Sequence, residues 1–183
     1  VRSRGLGDVY KRQEAKSVIR KLHKEGFTNI VMMTGDSYRT AEAIAKCVGV
    51  DHFYAEVLPE DKADFVQQEK AKGHKVVMIG DGINDSPALS AADVGIAISD
   101  GAEIAREIAD ITVSADDLNE IVILKMLSEA LMKRIHKNYR QIVTFNAGLI
   151  ALGVAGVIPP TTSALLHNTS TLLIGMDSMK NLL

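Results

Sequence analysis

The sequence has 183 residues, and its 21 basic and 23 acidic side chains leave a formal net charge of −2 at pH 7. A charge so close to zero does not indicate a nucleic-acid-binding surface, and no nucleic acid is expected as a partner. Hydrophobic residues make up 46% of the chain, enough for the core of one α/β domain and a further helical segment.

Cys47 is the only cysteine of the sequence, so no disulfide can form within the chain. It falls in the helical pattern AEAIAKCV. We expect it to be a buried, small apolar residue.

Residues 1–13 form the first segment, which starts at Val1 rather than at a methionine. The segment carries scattered arginine and lysine, shows no helical or strand periodicity, and has no apolar stretch of the kind found in a signal peptide. We expect a disordered leader of foreign origin, with a basic surface tail as the alternative.

From Glu14 the pattern alternates between helices and short apolar strands until about Val113. This alternation predicts a doubly wound parallel sheet, with helices on both faces, over residues 14–115. All the candidate chemistry of this region lies at the ends of its predicted strands or at the start of a helix.

The first predicted strand ends at Thr34, Gly35 and Asp36. A threonine hydroxyl and glycine N–H groups at such a turn can bind phosphate oxygens. The alternative is an ordinary connection between a strand and a helix.

Lys62 lies in the first turn of the helix that opens with the residues LPEDK. The proline and the acidic residues of that turn are typical of a helix start. From there Lys62 could place an ammonium group beside a phosphoryl group, although a solvated surface lysine is the alternative.

The motif GDGINDSPAL follows the apolar run KVVMI and is the most informative stretch of the sequence. Gly80 and Gly82 allow a sharp turn at the carboxyl end of a strand, where open α/β sheets bind their ligands. Asp81 and Asp85 are four residues apart, so their carboxylates and the Asn84 amide can converge on one point. Such hard oxygen ligands suit Mg²⁺. The alternative is an Asp-Gly turn with Asn84 as a helix N-cap.

Residues 116–140 are predicted to form a long connecting helix that the sequence SADD caps at its start. Two transmembrane helices are predicted for residues 141–183, because two apolar runs there approach the roughly 20 residues that span a bilayer. Basic residues precede the first run, as is typical of a cytoplasmic flank. The alternative is a buried helical pair in a soluble domain.

Polar residues lie in or near these apolar runs, namely Asn146 in the first and His167, Asn168, Thr169, Ser170 and Asp177 in the second. Asn146, His167, Asn168 and Ser170 are the candidate ligands among them. Polar groups within a membrane segment are costly, and nitrogen and oxygen donors of this kind could bind a transported transition-metal ion. Hydrogen bonding between the two helices, without an ion, is the alternative.

The motifs TGD, PEDK and GDGINDSPAL together resemble the phosphorylation domain of P-type ATPases, which belong to the haloacid dehalogenase-like superfamily. The later strings ADVGIAI and EIADI are also similar to that family, most closely to its heavy-metal-transporting branch, class IB. The resemblance runs from about Glu14 to Leu183. It implies an integral protein of the plasma membrane with a cytoplasmic phosphorylation domain, in which ATP phosphorylates an aspartate and hydrolysis of the acyl phosphate drives a metal ion across the membrane, in a direction that the sequence does not give.

The resemblance also implies roles for individual residues. Asp81 would hold Mg²⁺, with Asn84 and Asp85 supporting the ion and the phosphate. Lys62 would neutralise charge that develops on the transferred phosphoryl group.

The remaining roles concern the loops around the phosphoryl group. Thr34 and Gly35 would cradle its oxygens, and Asp36 would orient its loop or contact the nucleotide side. Gly80 and Gly82 would lie beside the bound cofactor.

The Asp-Lys-Thr-Gly-Thr motif that carries the phosphorylated aspartate of this family does not occur in the sequence. We therefore expect a C-terminal fragment that is inactive alone and whose partners are the other domains of the pump, the lipid bilayer and a divalent metal ion. The membrane residues depart from the patterns of copper pumps, which leaves zinc, cadmium, cobalt and manganese open. A soluble haloacid dehalogenase-type phosphatase and a non-enzymatic membrane or regulatory module are the competing interpretations.

Overall fold

The computed structural model describes residues 4–80, 83–98, 107–113 and 118–181, with side chains throughout except those of residues 4–13 and Ile83. Helices and strands alternate in the first part of the chain, and two long helices follow. A short 3₁₀ turn, Ile83–Asp85, precedes the fourth helix. The elements in chain order are α1 (Arg4–Lys24), β1 (Val31–Met33), α2 (Tyr38–Val48), β2 (His52–Tyr54), α3 (Pro59–Ala71), β3 (Val77–Gly80), α4 (Ser86–Ala91), β4 (Val94–Ile98), β5 (Ile111–Val113), α5 (Asn119–Val154) and α6 (Pro160–Ser178).

Strand pairing in the described part of the chain is parallel throughout, which confirms the predicted α/β arrangement. β1 pairs with β2, and β4 lies between β3 and β5. The five strands form a two-stranded and a three-stranded sheet, whereas the sequence pattern predicted one sheet. The helix expected between β4 and β5 falls mainly on residues 99–106, outside the described residues.

The core lies between the three-stranded sheet and helices α3 and α4. Val66 of α3 and Leu89 of α4 are almost completely buried, together with Ala97 of β4. Burial of a valine or leucine side chain contributes about 1.5–3 kcal/mol. Met33 at the end of β1 also packs against this cluster, so both sheets share the core.

Helix α4 lies unusually close to β4. A Cβ atom at Gly95 of β4 would lie 2.8 Å from the carbonyl oxygen of Leu89 in α4. Only glycine permits this approach, because the backbone atoms that a side chain would meet cannot rotate away. The position of α4, which begins directly after Asp85, is thereby set by the central strand.

Helix α1 begins at Arg4, which differs from the disordered leader expected for residues 1–13. Its later part is anchored, since Val18 and Leu22 are buried. Once such a helix is formed, each further residue adds a hydrogen bond at little cost. A glycine costs only about 1 kcal/mol, so Gly5 and Gly7 do not stop the helix. The foreign origin of this segment remains a prediction.

Helix α5 runs without interruption from Asn119 to Val154, so the boundary expected between residues 140 and 141 does not exist as a break in the backbone. The sequence there changes from charged to apolar but contains no proline or glycine that would end a helix. The chain turns only where Gly156 adopts a positive φ of 73°, and α6 then starts at Pro160. The predicted cap at residues 114–117 lies outside the described residues.

The transmembrane hairpin predicted for residues 141–183 is not confirmed. In the ranges that the structure describes, no helix combines the length and the apolar character needed to cross a membrane. The apolar part of α5 starts only after Arg140 and ends at Val154, which is shorter than a span requires. In α6 the adjacent polar residues His167 and Asn168 lower the mean hydropathy.

The chain divides into two compact units, Val1–Ile123 and Leu124–Leu183. The second unit exposes many large apolar side chains, among them Ile150, Leu165 and Leu172. So many exposed apolar side chains are typical of a segment that packs against something else.

Cys47 is exposed, so the prediction of a buried cysteine is wrong. Helix α2 buries Ala41 and Ala45, which are four residues apart and share one face. Cys47 is two residues beyond Ala45 and therefore lies on a different face of the helix.

Candidate phosphoryl-transfer site

An ion pair joins two of the predicted motifs. Lys62 Nζ donates to Asp85 Oδ1 over 2.7 Å, and the two residues are 23 positions apart in the sequence. The Lys62 side chain is 15% exposed and that of Asp85 11%. A pair so shielded from water interacts more strongly than a surface pair and holds both side chains in place.

Lys62 reaches this position because it lies in the first turn of α3. That helix begins with Pro59, whose fixed φ suits the first helical position. The Asp61 carboxylate accepts a hydrogen bond from the backbone N–H of Leu58 over 3.2 Å, which fixes the start of the helix. The interpretation of Lys62 as a solvated surface lysine is therefore wrong.

Asp85 occupies the N-cap position of α4, yet its side chain makes no capping hydrogen bond. The carboxylate is directed to Lys62 instead. The alternative in which Asn84 caps the helix is also wrong, because Asp85 rather than Asn84 precedes the first helical residue. Asn84 is exposed in the 3₁₀ turn.

Gly80 makes room for Asp85. A Cβ atom at Gly80 would lie 2.6 Å from the Asp85 Cβ and 2.9 Å from its Oδ2. Contacts under 3 Å between such atoms require the backbone to shift, so the end of β3 and the Asp85 carboxylate can only lie this close with glycine at position 80.

Ser86 is a site residue that the sequence analysis missed. It is 8% exposed, and its Oγ has no hydrogen-bond partner in the described part of the chain. A buried hydroxyl without a partner is costly and indicates a missing ligand or water. The signal was available, because Ser86 follows Asp85 directly within the GDGINDSPAL motif.

The loop after β1 holds its own side chains together. Thr34 Oγ1 donates to Asp36 Oδ2 over 2.9 Å, and the Asp36 N–H donates to Thr34 Oγ1 over 3.1 Å. The Thr34 N–H donates to the Tyr54 carbonyl oxygen, which ties the loop to the end of β2. Gly35 and Asp36 are exposed. Because the Asp36 N–H is used by Thr34, the Gly35 N–H is the group of this turn that is accessible to a ligand.

The expected Mg²⁺ ligand Asp81 and the neighbouring Gly82 lie outside the described residues. In the remainder, no cluster of three or more His, Cys, Asp or Glu side chains could hold a metal ion. Magnesium does not need such a cluster, since it is commonly bound by one or two carboxylates together with phosphate oxygens and waters. The Asp85 carboxylate and the unpartnered Ser86 hydroxyl are oxygen donors that fit this ion.

Carboxylates elsewhere in this unit serve the fold, which the sequence did not indicate. Asp93 Oδ2 accepts from the Val76 N–H over 2.9 Å and its Oδ1 accepts from Lys75 Nζ over 3.1 Å. The backbone hydrogen bond and the ammonium group lower the pKa of Asp93 below its ordinary value of 3.8. Asp110 Oδ2 accepts from the Gly95 N–H over 2.8 Å and so supports β4.

Two of the four polar residues predicted to bind the transported ion lie within hydrogen-bonding distance of each other. His167 Nδ1 of α6 and Asn146 Oδ1 of α5 are 2.8 Å apart. The Ser170 hydroxyl donates instead to the carbonyl oxygen of His167 over 2.8 Å, within its own helix. The structure therefore brings the side chains of Asn146 and His167 together, whereas the Ser170 hydroxyl is bound to the backbone of its own helix and does not join them.

The fold is that of haloacid dehalogenase-like hydrolases. One family with this description matches residues 6–93 and a second matches residues 63–126. The individual proteins that are similar to this chain belong to a narrower class. The chain is 39% identical over 170 residues to the manganese-exporting P-type ATPase of Mycobacterium leprae, a match that covers 92% of this chain and 23% of that protein.

Two further proteins extend the comparison. The copper-exporting P-type ATPase of Staphylococcus epidermidis is 39% identical over 169 residues, covering 92% of this chain and 21% of the exporter. The crystal structure of a zinc-transporting PIB-type ATPase in its E2.Pi state is 33% identical and superposes with a TM-score of 0.78, over 91% of this chain and 27% of that one.

The homologues of this chain are thus heavy-metal P-type ATPases, and the chain spans about a quarter of their length. The manganese and copper exporters are equally similar to it. Overall identity therefore gives no preference among these metals.

Proposed function

We propose that this chain is the C-terminal part of a class IB P-type ATPase, which exports a divalent heavy-metal ion across the plasma membrane through an aspartyl-phosphate intermediate. The observation that carries the proposal is the shielded ion pair between Lys62 and Asp85, which joins two motifs of the predicted phosphorylation domain. The high coverage of metal-exporting homologues supports the pump assignment. The phosphorylated aspartate and the nucleotide-binding domain belong to the rest of the pump, so the fragment is inactive alone.

Lys62 stabilises the charge of the transferred phosphoryl group. An ammonium group has three N–H donors, and one of them is used by Asp85. In the described ranges the other two have no partner, and they are available to phosphoryl oxygens. Because Asp85 fixes the ammonium group before the substrate arrives, little reorganisation is needed in the transition state.

Asp81, Asn84 and Asp85 hold Mg²⁺ or order the groups around it, and the Ser86 hydroxyl gains its missing partner there. When bound, the ion neutralises charge on the phosphate and orients its oxygens. Gly80 and Gly82 let the backbone approach this group closely. Asp85 thus has two tasks, since it also holds Lys62.

The loop after β1 binds the phosphoryl oxygens through the Thr34 hydroxyl and the Gly35 N–H. In the structure the Thr34 hydroxyl donates to Asp36, so that carboxylate must release it when a phosphoryl group binds. Asp36 then orients the loop or contacts the nucleotide side of ATP.

In the helical hairpin, Asn146 and His167 bind the transported ion, with Asn168 and Ser170 as further donors. With Asn146 Oδ1 as the acceptor, Nδ1 of His167 carries the proton. Its Nε2 then presents a lone pair suited to a transition metal. The exposed apolar faces of the hairpin contact the lipid bilayer and the other helices of the pump.

The test uses the complete pump and the amount of acid-stable phosphoenzyme formed from radiolabelled ATP. Lys62→Gln should slow its formation on the order of 10²-fold, the usual effect of losing one transition-state donor. Lys72→Gln is the control, because Lys72 directly follows α3 and its side chain is exposed and paired with Glu69. Manganese, zinc and copper are added one at a time, and the ion that stimulates phosphorylation identifies the cargo.

Unchanged phosphorylation in Lys62→Gln would refute the assigned role of Lys62. The competing assignment, a soluble phosphatase, is tested on the 183-residue chain with p-nitrophenyl phosphate and Mg²⁺. Hydrolysis that depends on Lys62 would favour the phosphatase and overturn the pump proposal.

A further inference from the structure

A groove between α5 and α6, within the second unit, has features of a lipid-binding site. It has a volume of about 760 Å³, which is within the range of small-ligand sites. Its walls come from both helices. The lining residues are Lys137, Arg140, Gln141, Thr144, Phe145, Ser170, Leu173 and Ile174.

The groove is polarised along its length. Lys137 lies at one end and Arg140 about one turn further in, while Phe145 is eight residues beyond Lys137 on α5, roughly 12 Å away at 1.5 Å per residue. Of the apolar side chains that line the groove, Phe145 is 40% and Leu173 60% exposed. A cationic end with exposed apolar side chains beside it matches an amphipathic molecule with an anionic head.

The charges around the cationic end favour an anion. The Asp177 carboxylate is shared between Lys137, at 3.1 Å, and Lys180, at 2.6 Å, so one positive charge remains in this group. Arg140 makes no hydrogen bond or ion pair with any residue in the described ranges. Arg134 adds a further cation, because its guanidinium donates to backbone carbonyls of the segment after α6, including that of Asn181, and not to a carboxylate.

We propose that this groove binds an anionic phospholipid. Arg140 and Lys137 bind the headgroup phosphate, Gln141 and Thr144 contact the glycerol region, and an acyl chain lies along Phe145, Leu173 and Ile174. A free phosphate ion would use only the cations, and the exposed apolar side chains beside them therefore favour the lipid. The proposal rests on the bilayer contact proposed above and specifies its chemistry, while it is independent of phosphoryl transfer.

The experiment places a fluorescent reporter in the groove. The sequence contains no tryptophan, so the emission of a Phe145→Trp variant of the whole chain comes from the groove alone. The probes are vesicles of brominated phosphatidylcholine, with or without an equal part of brominated phosphatidylglycerol. We expect a blue shift and quenching only with the anionic vesicles. A Leu173→Trp variant provides a second reporter on the facing helix should Phe145→Trp fail to fold.

Substitution of the cation tests the headgroup contact. Arg140→Gln in the reporter background should lower the vesicle affinity about fivefold, the effect expected for one cation near an anionic surface. Lys133→Gln removes the same charge from the same helix but does not line the groove, so it should lower the affinity by much less.

Equal losses of vesicle affinity in Arg140→Gln and Lys133→Gln would show general electrostatic attraction and would overturn the proposed lipid site. Equal quenching by vesicles without phosphatidylglycerol, or no quenching of either reporter, would overturn it as well. The phosphoenzyme assay with Lys62→Gln measures a different unit of the chain, so failure of the lipid site and failure of the proposed function are separately visible.

Discussion

The ion pair between Lys62 and Asp85 predicts a specific pattern of stability changes in the whole chain. Lys62→Met leaves the Asp85 carboxylate, which is 11% exposed, without its ammonium partner. Removing one member of a buried pair costs about 3–5 kcal/mol. Asp85 keeps further interactions, so we expect the low end, about 3 kcal/mol.

A double-mutant cycle separates this coupling from other effects. Asp85→Asn alone leaves the Lys62 ammonium without its carboxylate and should be similarly destabilising, whereas Lys62→Met with Asp85→Asn leaves neither charge. The double variant should therefore lose less than the sum of the two single losses, by about 2 kcal/mol. Lys46→Met is the matched control. Its ammonium lies 2.8 Å from Glu42 but the lysine side chain is 73% exposed, so the change should be undetectable.

Urea unfolding followed by hydrogen exchange provides the measurement. Peptides that cover Pro59–Ala71 and Val77–Gly80 report the unit that contains the pair, separately from the helical hairpin. A loss below about 1 kcal/mol for Lys62→Met would refute a strong coupling, because an exposed pair would behave in that way. A double variant whose loss equals the sum of the single losses would refute it as well.

Two further predictions concern stability. Gly80→Ala places a Cβ 2.6 Å from that of Asp85 and should destabilise the chain by about 1–3 kcal/mol in urea unfolding. Gly148→Ala, in open space on α5, should instead be neutral or stabilise by up to about 1 kcal/mol; a loss there comparable with that of Gly80→Ala would contradict the steric argument. The Val76 N–H lowers the pKa of Asp93 in the folded chain. The ionised carboxylate therefore stabilises the fold at pH values above its ordinary pKa of 3.8. This stabilisation is lost as the pH falls through the lower pKa of the folded chain. Asp93→Asn should therefore unfold at a lower urea concentration than the native chain at neutral pH, and at a similar concentration below the folded pKa of Asp93. A difference between the two urea midpoints that does not change with pH would contradict the role of the Asp93 carboxylate.

The sequence indicates candidate site residues but not their contacts. Thr34, Lys62 and Asp85 could be proposed because motifs at strand ends and helix starts are local in sequence, and their roles stay predictions. The pairing of Lys62 with Asp85 could not be predicted, because it depends on how α3 packs against α4. The tight approach that requires Gly95 is likewise a property of packing.

Helix α5 shows why the predicted boundary at residue 140 was not found. Hydropathy changes there, but helix ends are determined by caps and by residues that break the hydrogen-bonding pattern. No proline occurs within α5, its two glycines stay in the helix, and the first residue after its start that adopts a positive φ is Gly156. The change in hydropathy at residue 140 was thus interpreted as the end of one helix and the start of the next. Cys47 was placed incorrectly for a related reason, since membership in a helix does not determine which face is buried.

The most direct test of the pump assignment is the nucleotide sequence upstream of the codon for Glu14 at the native locus. The account predicts an uninterrupted reading frame that encodes an Asp-Lys-Thr-Gly-Thr motif, a nucleotide-binding domain and earlier membrane helices. A native start codon close to Glu14, preceded by an in-frame stop, would contradict it. The chain could not then supply the phosphorylated aspartate, and a regulatory role would have to replace the catalytic one.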